Sequence, residues 1–119
     1  MNKRAVGTSG ENAACEALKK AGIQVLQRNY RRSTGEIDII AREKKTLLFI
    51  EVKQRSSLRF GRPAEAVDRT KQQHIVRTAM LYLTENSLDD VPVRFDIVEV
   101  LPDSIRHIKG AFDATDLFE

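Results

Sequence analysis

Cysteine occurs once in this chain, as Cys15, and histidine only twice, as His74 and His107. A lone thiol excludes an internal disulfide and any cysteine-based zinc cage. The two histidines stand alone, without zinc-ligand spacing and without a serine or cysteine nucleophile arranged around them. No glycine-rich phosphate loop is present, which argues against nucleoside triphosphate hydrolysis. No apolar stretch approaches membrane-spanning length, and the start, Met1-Asn2-Lys3-Arg4, lacks a hydrophobic signal core. A cytoplasmic protein with no membrane partner is therefore expected. Internal repeats and low-complexity segments are also missing.

What is present fits one globular domain spanning residues 1–119, large enough for a single core and too small for two. The apolar share (41%) and the charged share (31%) are those of an ordered soluble chain rather than a disordered one.

The most informative stretch runs from Gly35-Glu36-Ile37-Asp38-Ile39-Ile40 to Leu47-Leu48-Phe49-Ile50-Glu51-Val52-Lys53. Two apolar runs around Glu43-Lys44-Lys45-Thr46 read as a hairpin. With the turn centred on Lys44-Lys45, Asp38 lies opposite Glu51 and Glu36 opposite Lys53. Alternation puts Glu36, Asp38 and Ile40 on one face, as it does Phe49, Glu51 and Lys53. Facing carboxylates repel at a Cβ separation of about 5 Å. Glu51 also sits in a run apolar enough for a central strand, where an unpaired carboxylate is expensive to bury. A divalent cation between Asp38 and Glu51 would resolve both problems. The alternative is a pair of rim acids matched to nearby arginines and screened by solvent.

Net charge is only +3, but it is unevenly spread. Lys53, Arg55, Arg59, Arg62, Arg69, Lys71 and Arg77 face only Glu65 and Asp68 over their stretch, and Arg28, Arg31 and Arg32 precede the Asp38 strand. Acids gather instead at Glu85 to Asp90 and in the tail from Asp113 to Glu119. Bases flanking an acidic pair suit a polyanion held against metal ions, although surface lysines and arginines also serve plain solubility.

Elsewhere, Met1 to Gly7 reads as a mobile start, and a first helix is expected over Ser9–Ala21 with Gly22 as its stop. Its apolar stripe is Ala14, Cys15, Leu18 and Ala21, with Glu11 on the same side. Ile23–Tyr30 reads as a strand, followed by the hairpin strands near Glu36–Arg42 and Thr46–Lys53. Ser56–Arg62 is an arginine-rich loop. Pro63 fits the first position of a long helix to Leu83 that buries Val67, Ile75, Ala79, Met80 and Leu83. After a turn at Asp89-Asp90-Val91-Pro92, strands follow at Val93–Leu101 and Ile105–Lys109. This order, α-β-β-β-α-β-β, predicts an α/β or α+β fold around one mixed sheet.

Asp38, Glu51-Val52-Lys53 and an upstream helical Glu11, in this order, resemble the PD-(D/E)xK nuclease superfamily. More narrowly, the chain is identified as a member of the YraN family of uncharacterised bacterial proteins. The matching pieces are Gly7-x-x-Gly10-Glu11, Arg28-Asn29-Tyr30-Arg31, Gly35-Glu36-Ile37-Asp38, Phe49-Ile50-Glu51-Val52-Lys53, Phe60-Gly61, Lys71, Arg94-Phe95-Asp96 and Ala111-Phe112. The superfamily's proline before its aspartate is Ile37 here. The resemblance implies the restriction-endonuclease-like fold, also seen in archaeal Holliday junction resolvases. It further implies a metal-dependent endonuclease hydrolysing phosphodiester bonds in DNA, branched or damaged structures included. The alternative is a nucleic-acid-binding module that keeps the fold without cutting. A homodimer is compatible with either.

By the same resemblance, Asp38, Glu51, Lys53 and Glu11 are the catalytic positions. Asp38 and Glu51 would bind Mg²⁺, with Mn²⁺ as a substitute and the Val52 carbonyl completing the shell. Lys53 would orient the attacking water and stabilise the transition state; its bland role is an ion pair with Glu36. Glu11 is an accessory ligand by resemblance, whereas Thr8-x-x-Glu11 alone reads as a capping box. Glu36 is a supporting residue. Arg31, Arg32, Arg55, Arg59, Arg62 and Lys71 are the candidate nucleic-acid contacts, with Gln72 a weaker one. Cys15 reads as core. The tail Ala114-Thr115-Asp116-Leu117-Phe118 faintly resembles the peptide by which replication proteins bind the sliding clamp, although Ala114 stands where a glutamine leads that peptide. Packing of Phe112 and Phe118 back onto the domain is the competing explanation.

Overall fold

The computed structural model describes residues 3–55 and 67–115, with side chains from Ser9 onward in the first helix. The elements are α1 (Lys3–Lys20), β1 (Gln24–Arg32), β2 (Gly35–Glu43), β3 (Thr46–Gln54), α2 (Arg69–Glu85), β4 (Val93–Val100) and β5 (Ile105–Phe112). The strands form one sheet in the order β1-β2-β3-β4-β5. Neighbours are antiparallel except β3 and β4, which run parallel and are joined by the crossover through α2. The expected element order and mixed sheet are both found.

Alternation along β3 feeds two cores. Leu47 and Phe49 pack with Ile75, Val76, Ala79 and Tyr82 of α2, whereas Leu48 and Ile50 pack with Ala14, Cys15 and Leu18 of α1. The two helices therefore cover opposite faces of the sheet. Cys15 is a core residue, and burial pushes its thiol pKa up. On the α2 side Tyr82 meets both Tyr30 and Phe49 edge-on, with ring centroids 5.3 and 5.8 Å apart.

Both helices end on local chemistry. Gly22, at φ +83, takes the left-handed position after α1, and the Ile23 amide donates to the Leu18 carbonyl at 2.9 Å. Glycine adopts that conformation without steric cost. The α1 terminus thus matches expectation, but its beginning does not. The helix extends back to Lys3, so Lys3 to Gly7 are its first turns and Thr8 is not its cap. Ala21 is exposed rather than part of the buried stripe.

The long helix starts at Arg69, because Asp68 is its N-cap and accepts the Lys71 amide at 2.8 Å. Pro63 lies outside the described residues. Val67 is buried ahead of the helix rather than in it. Met80 points outward, 59% exposed, and Tyr82 takes the core place expected of it. The last strand runs to Phe112, which stacks on Phe95 at 5.2 Å.

Asp96 braces the far end of β4 and β5. Its carboxylate is fully buried and accepts from Arg94, His107 and the Gly110 amide at 2.7–2.9 Å. Burial alone would raise its pKa, but these donors hold it down at about 2. Arg94 continues to Glu43 at 3.0 Å, tying the network to the β2–β3 turn.

Candidate functional site

The hairpin has the register expected from its turn, with Glu43 opposite Thr46 and Ile39 opposite Ile50. The ladder stops there, one pair short of Asp38 and Glu51. From this point β2 continues beside β1 as far as Gly35, and β3 continues beside β4 as far as Gln54. Asp38 occupies the fork. Its Oδ2 accepts the Val52 amide at 2.8 Å, so a side chain takes the donor that the departing strand no longer serves.

Strict alternation also fails at the fork. Ile37 and Ile40 pack on the α2 side, while Ile39 between them packs on the α1 side. Glu36, Asp38 and Ile40 therefore do not form one regular row. Across β1, Asn29 sits between Arg28 (opposite Ile39) and Tyr30 (opposite Ile37), in the left-handed region at φ +54. That irregularity re-aims the neighbouring side chains, as strand bulges do. Arg28 thus reaches Glu11 of α1 at 3.4 Å, while Tyr30 enters the α2-side core.

Glu51 is 6% exposed. Its Oε1 lies 3.0 Å from Lys71 Nζ on α2 and 3.6 Å from Lys53 Nζ on its own strand. Asp38 feels the opposite field. Burial and the Glu51 charge raise its pKa to about 7, with Glu11 and Glu36 adding to the rise and the Val52 amide opposing it. For Lys71, burial works against the ammonium, but Glu51, with Asp38 and Glu36 behind it, prevails and holds the pKa above the ordinary lysine value.

Several expected partners are rearranged. Glu36 pairs with Arg31 at 3.1 Å rather than with Lys53, because the strands have already separated. Glu11 faces Arg28, and among the described residues no group of three or more His, Cys, Asp or Glu side chains gathers to hold a metal. The fork therefore supplies two carboxylates, with Glu11 acting on Asp38 through its field.

Of the candidate nucleic-acid contacts, Lys71 is at the fork itself. Arg31 is mostly exposed beside it. Arg32 turns to Glu85, donating at 2.8 and 2.7 Å, and lies over the Tyr30 ring. Gln72 donates to the Val67 carbonyl. Arg59, Arg62 and the tail residues Asp116 to Phe118 lie outside the described residues. Arg55 reaches a partner the sequence did not suggest, Glu99 of β4, at 2.7 Å. Glu99 was missed because no turn fixes the register between β3 and β4, so nothing along the chain places it beside Lys53.

The model of the uncharacterised protein family UPF0102, also known as the YraN family, matches residues 10–100, a span that includes Glu11, Asp38, Glu51 and Lys53. The chain belongs to this family. A UPF0102 protein of Caldicellulosiruptor saccharolyticus is 47% identical over 118 residues, covering 94% of this chain and all of that one. One from Acetivibrio thermocellus is 53% identical over 100 residues, covering 83% of this chain and 77% of the relative. Among solved structures, the UPF0102 fold is similar to that of Archaeoglobus fulgidus Hjc, a Holliday junction resolvase from an archaeal hyperthermophile. The TM-score is 0.50 at 20% identity, covering 83% of this chain and 72% of Hjc. That likeness establishes the restriction-endonuclease-like fold. The clamp-binding reading of the tail gains no support from these relatives. Among the described residues no helix is long and apolar enough to cross a membrane.

Proposed function

We propose that this UPF0102 protein is a metal-dependent endonuclease hydrolysing phosphodiester bonds in DNA, branched or damaged structures in particular, and working in the cytoplasm. The observation that carries the reading is the fork, where Asp38 and Glu51 meet with Lys53 and Lys71 on the Glu51 carboxylate. The donor set fits a divalent ion. Two carboxylates and the Val52 carbonyl are the hard oxygens that Mg²⁺ takes, with Mn²⁺ as a substitute. A cation would also stabilise the Asp38 carboxylate, whose pKa burial first and the Glu51 charge second raise to about 7. When bound, it would lower the pKa of a water molecule and offset charge on the phosphate.

The chain's own residues supply the rest. Lys53 sets a positive charge beside Glu51, where it can face negative charge gathering on an attacked phosphate. Lys71 pairs with Glu51 from the helix side at 3.0 Å. Glu11 adds negative field behind Asp38. Arg31, Arg59 and Arg62 contribute contacts to the nucleic-acid backbone, which give affinity with little sequence preference, whereas Arg55 is turned inward to Glu99.

One observation favours a non-catalytic nucleic-acid-binding module instead: Lys53 and Lys71 already neutralise Glu51 without a metal. The deciding experiment is cleavage of single-stranded, flapped and four-way-junction DNA, and of RNA, across Mg²⁺ and Mn²⁺ titrations. Wild type should cut and Asp38→Asn should not. Equal residual cleavage by both on every substrate overturns the enzyme reading, and metal binding without cutting selects the binding module.

A further inference from the structure

A third carboxylate lies on the Glu51 face of the sheet, one strand further on. Glu99 of β4 stands opposite Lys53 in the parallel register and opposite Arg106 of β5 in the antiparallel one. Register partners project to the same side, so Lys53, Glu99 and Arg106 form a row across three strands. The Glu99 side chain is only 2% exposed, and its Oε2 lies 2.7 Å from Arg55 Nε. Its Oε1 is buried without a hydrogen-bond partner. Arg106 Nη1 is near it at 3.8 Å, which is too long for a hydrogen bond. The Arg106 side chain is itself 49% exposed.

A buried carboxylate oxygen with an incomplete shell attracts the guanidinium beside it. A guanidinium carries five donors in a planar fork, so one edge can face Glu99 while another faces outward. We propose that Glu99 aims Arg106 as an anion subsite that takes a backbone phosphate of the bound nucleic acid. The inference rests on the proposed action on nucleic acid and extends its footprint to the edge strand. Arg106 stands two strand spacings, about 10 Å, from the strand of Glu51 and Lys53. The phosphate it holds is therefore a near neighbour of the one at the fork.

The test is binding of a four-way-junction DNA in EDTA, where no cutting can intervene, followed by fluorescence anisotropy across a salt series. Arg106→Ala should bind several-fold more weakly and lower the salt slope by about 0.9, the contribution of one neutralised phosphate. Arg106→Lys keeps the charge and should restore the slope. If Arg106→Ala keeps wild-type affinity and slope, with or without a change in melting temperature, the side chain only neutralises Glu99 and the inference is overturned. That result leaves the nuclease reading standing. If wild-type protein binds no nucleic acid, both fall together.

Discussion

Lys71 on α2 meets Glu51 on β3 at 3.0 Å, so the helix is pinned to the central strand at the candidate site. The pair joins a half-exposed ammonium to a nearly buried carboxylate. Among the described residues, removing the lysine leaves Glu51 with Lys53, at 3.6 Å. Lys71→Ala should cost on the order of 1 kcal/mol in metal-free buffer. Added Mn²⁺ should then raise the melting temperature of the variant more than that of wild type. Thermal scans with EDTA and with Mn²⁺ measure both effects.

Asp38 gives stability a pH dependence of definite sign. Its pKa is about 7 in the fold against an ordinary 3.8, so between those values the folded state binds more protons than the unfolded state. Stability from this group therefore falls as pH rises from about 4 to 7 and is level above. Asp38→Asn removes the decline. The variant should match wild type near pH 4 and melt higher at pH 8 without metal. Mn²⁺ should raise the wild-type melting temperature at pH 8 and leave that of Asp38→Asn unchanged.

Lys53→Ala separates binding from turnover. Metal should still bind, measured by calorimetry with Mn²⁺, while cleavage drops by a factor of order 10²–10³, the usual loss on removing one electrostatic stabiliser. Ca²⁺ should occupy the fork without supporting cleavage, because it holds its ligands loosely.

Asp96→Ala should be among the most damaging single changes outside the fork. It strips Arg94 and His107 of a fully buried partner and leaves the Gly110 amide unserved. Breaking a buried charged network in this way costs about 3–5 kcal/mol. Urea titration of the variant reads the loss directly.

The hairpin was legible because a two-residue turn at Lys44-Lys45 fixes its register, and Ile39 does face Ile50. The expected opposition of Asp38 and Glu51 became something else, a carboxylate bonded to the Val52 amide at the end of the ladder. Nothing in the sequence marks where a ladder opens, and the left-handed Asn29 that accompanies the change lies on another strand. Helix starts were misread for a related reason. Thr8 and Pro63 are good local signals, but α1 runs through the first, and Asp68 caps α2 beyond the second. Glu99 reaches Lys53 through a parallel pairing made through a helix, which carries no local register signal.

The bond from Val52 to Asp38 turns one backbone amide into a reporter on one side chain. Most strand amides in this sheet exchange with solvent only when a ladder opens, whereas protection at Val52 depends on where a carboxylate points. If Asp38 turns from the amide to a divalent ion, hydrogen–deuterium exchange at Val52 should quicken while Ile50 stays protected. Asp38→Ala should give the same fast exchange with no ion present. A single resonance could then follow the commitment of the site, without a substrate and without turnover.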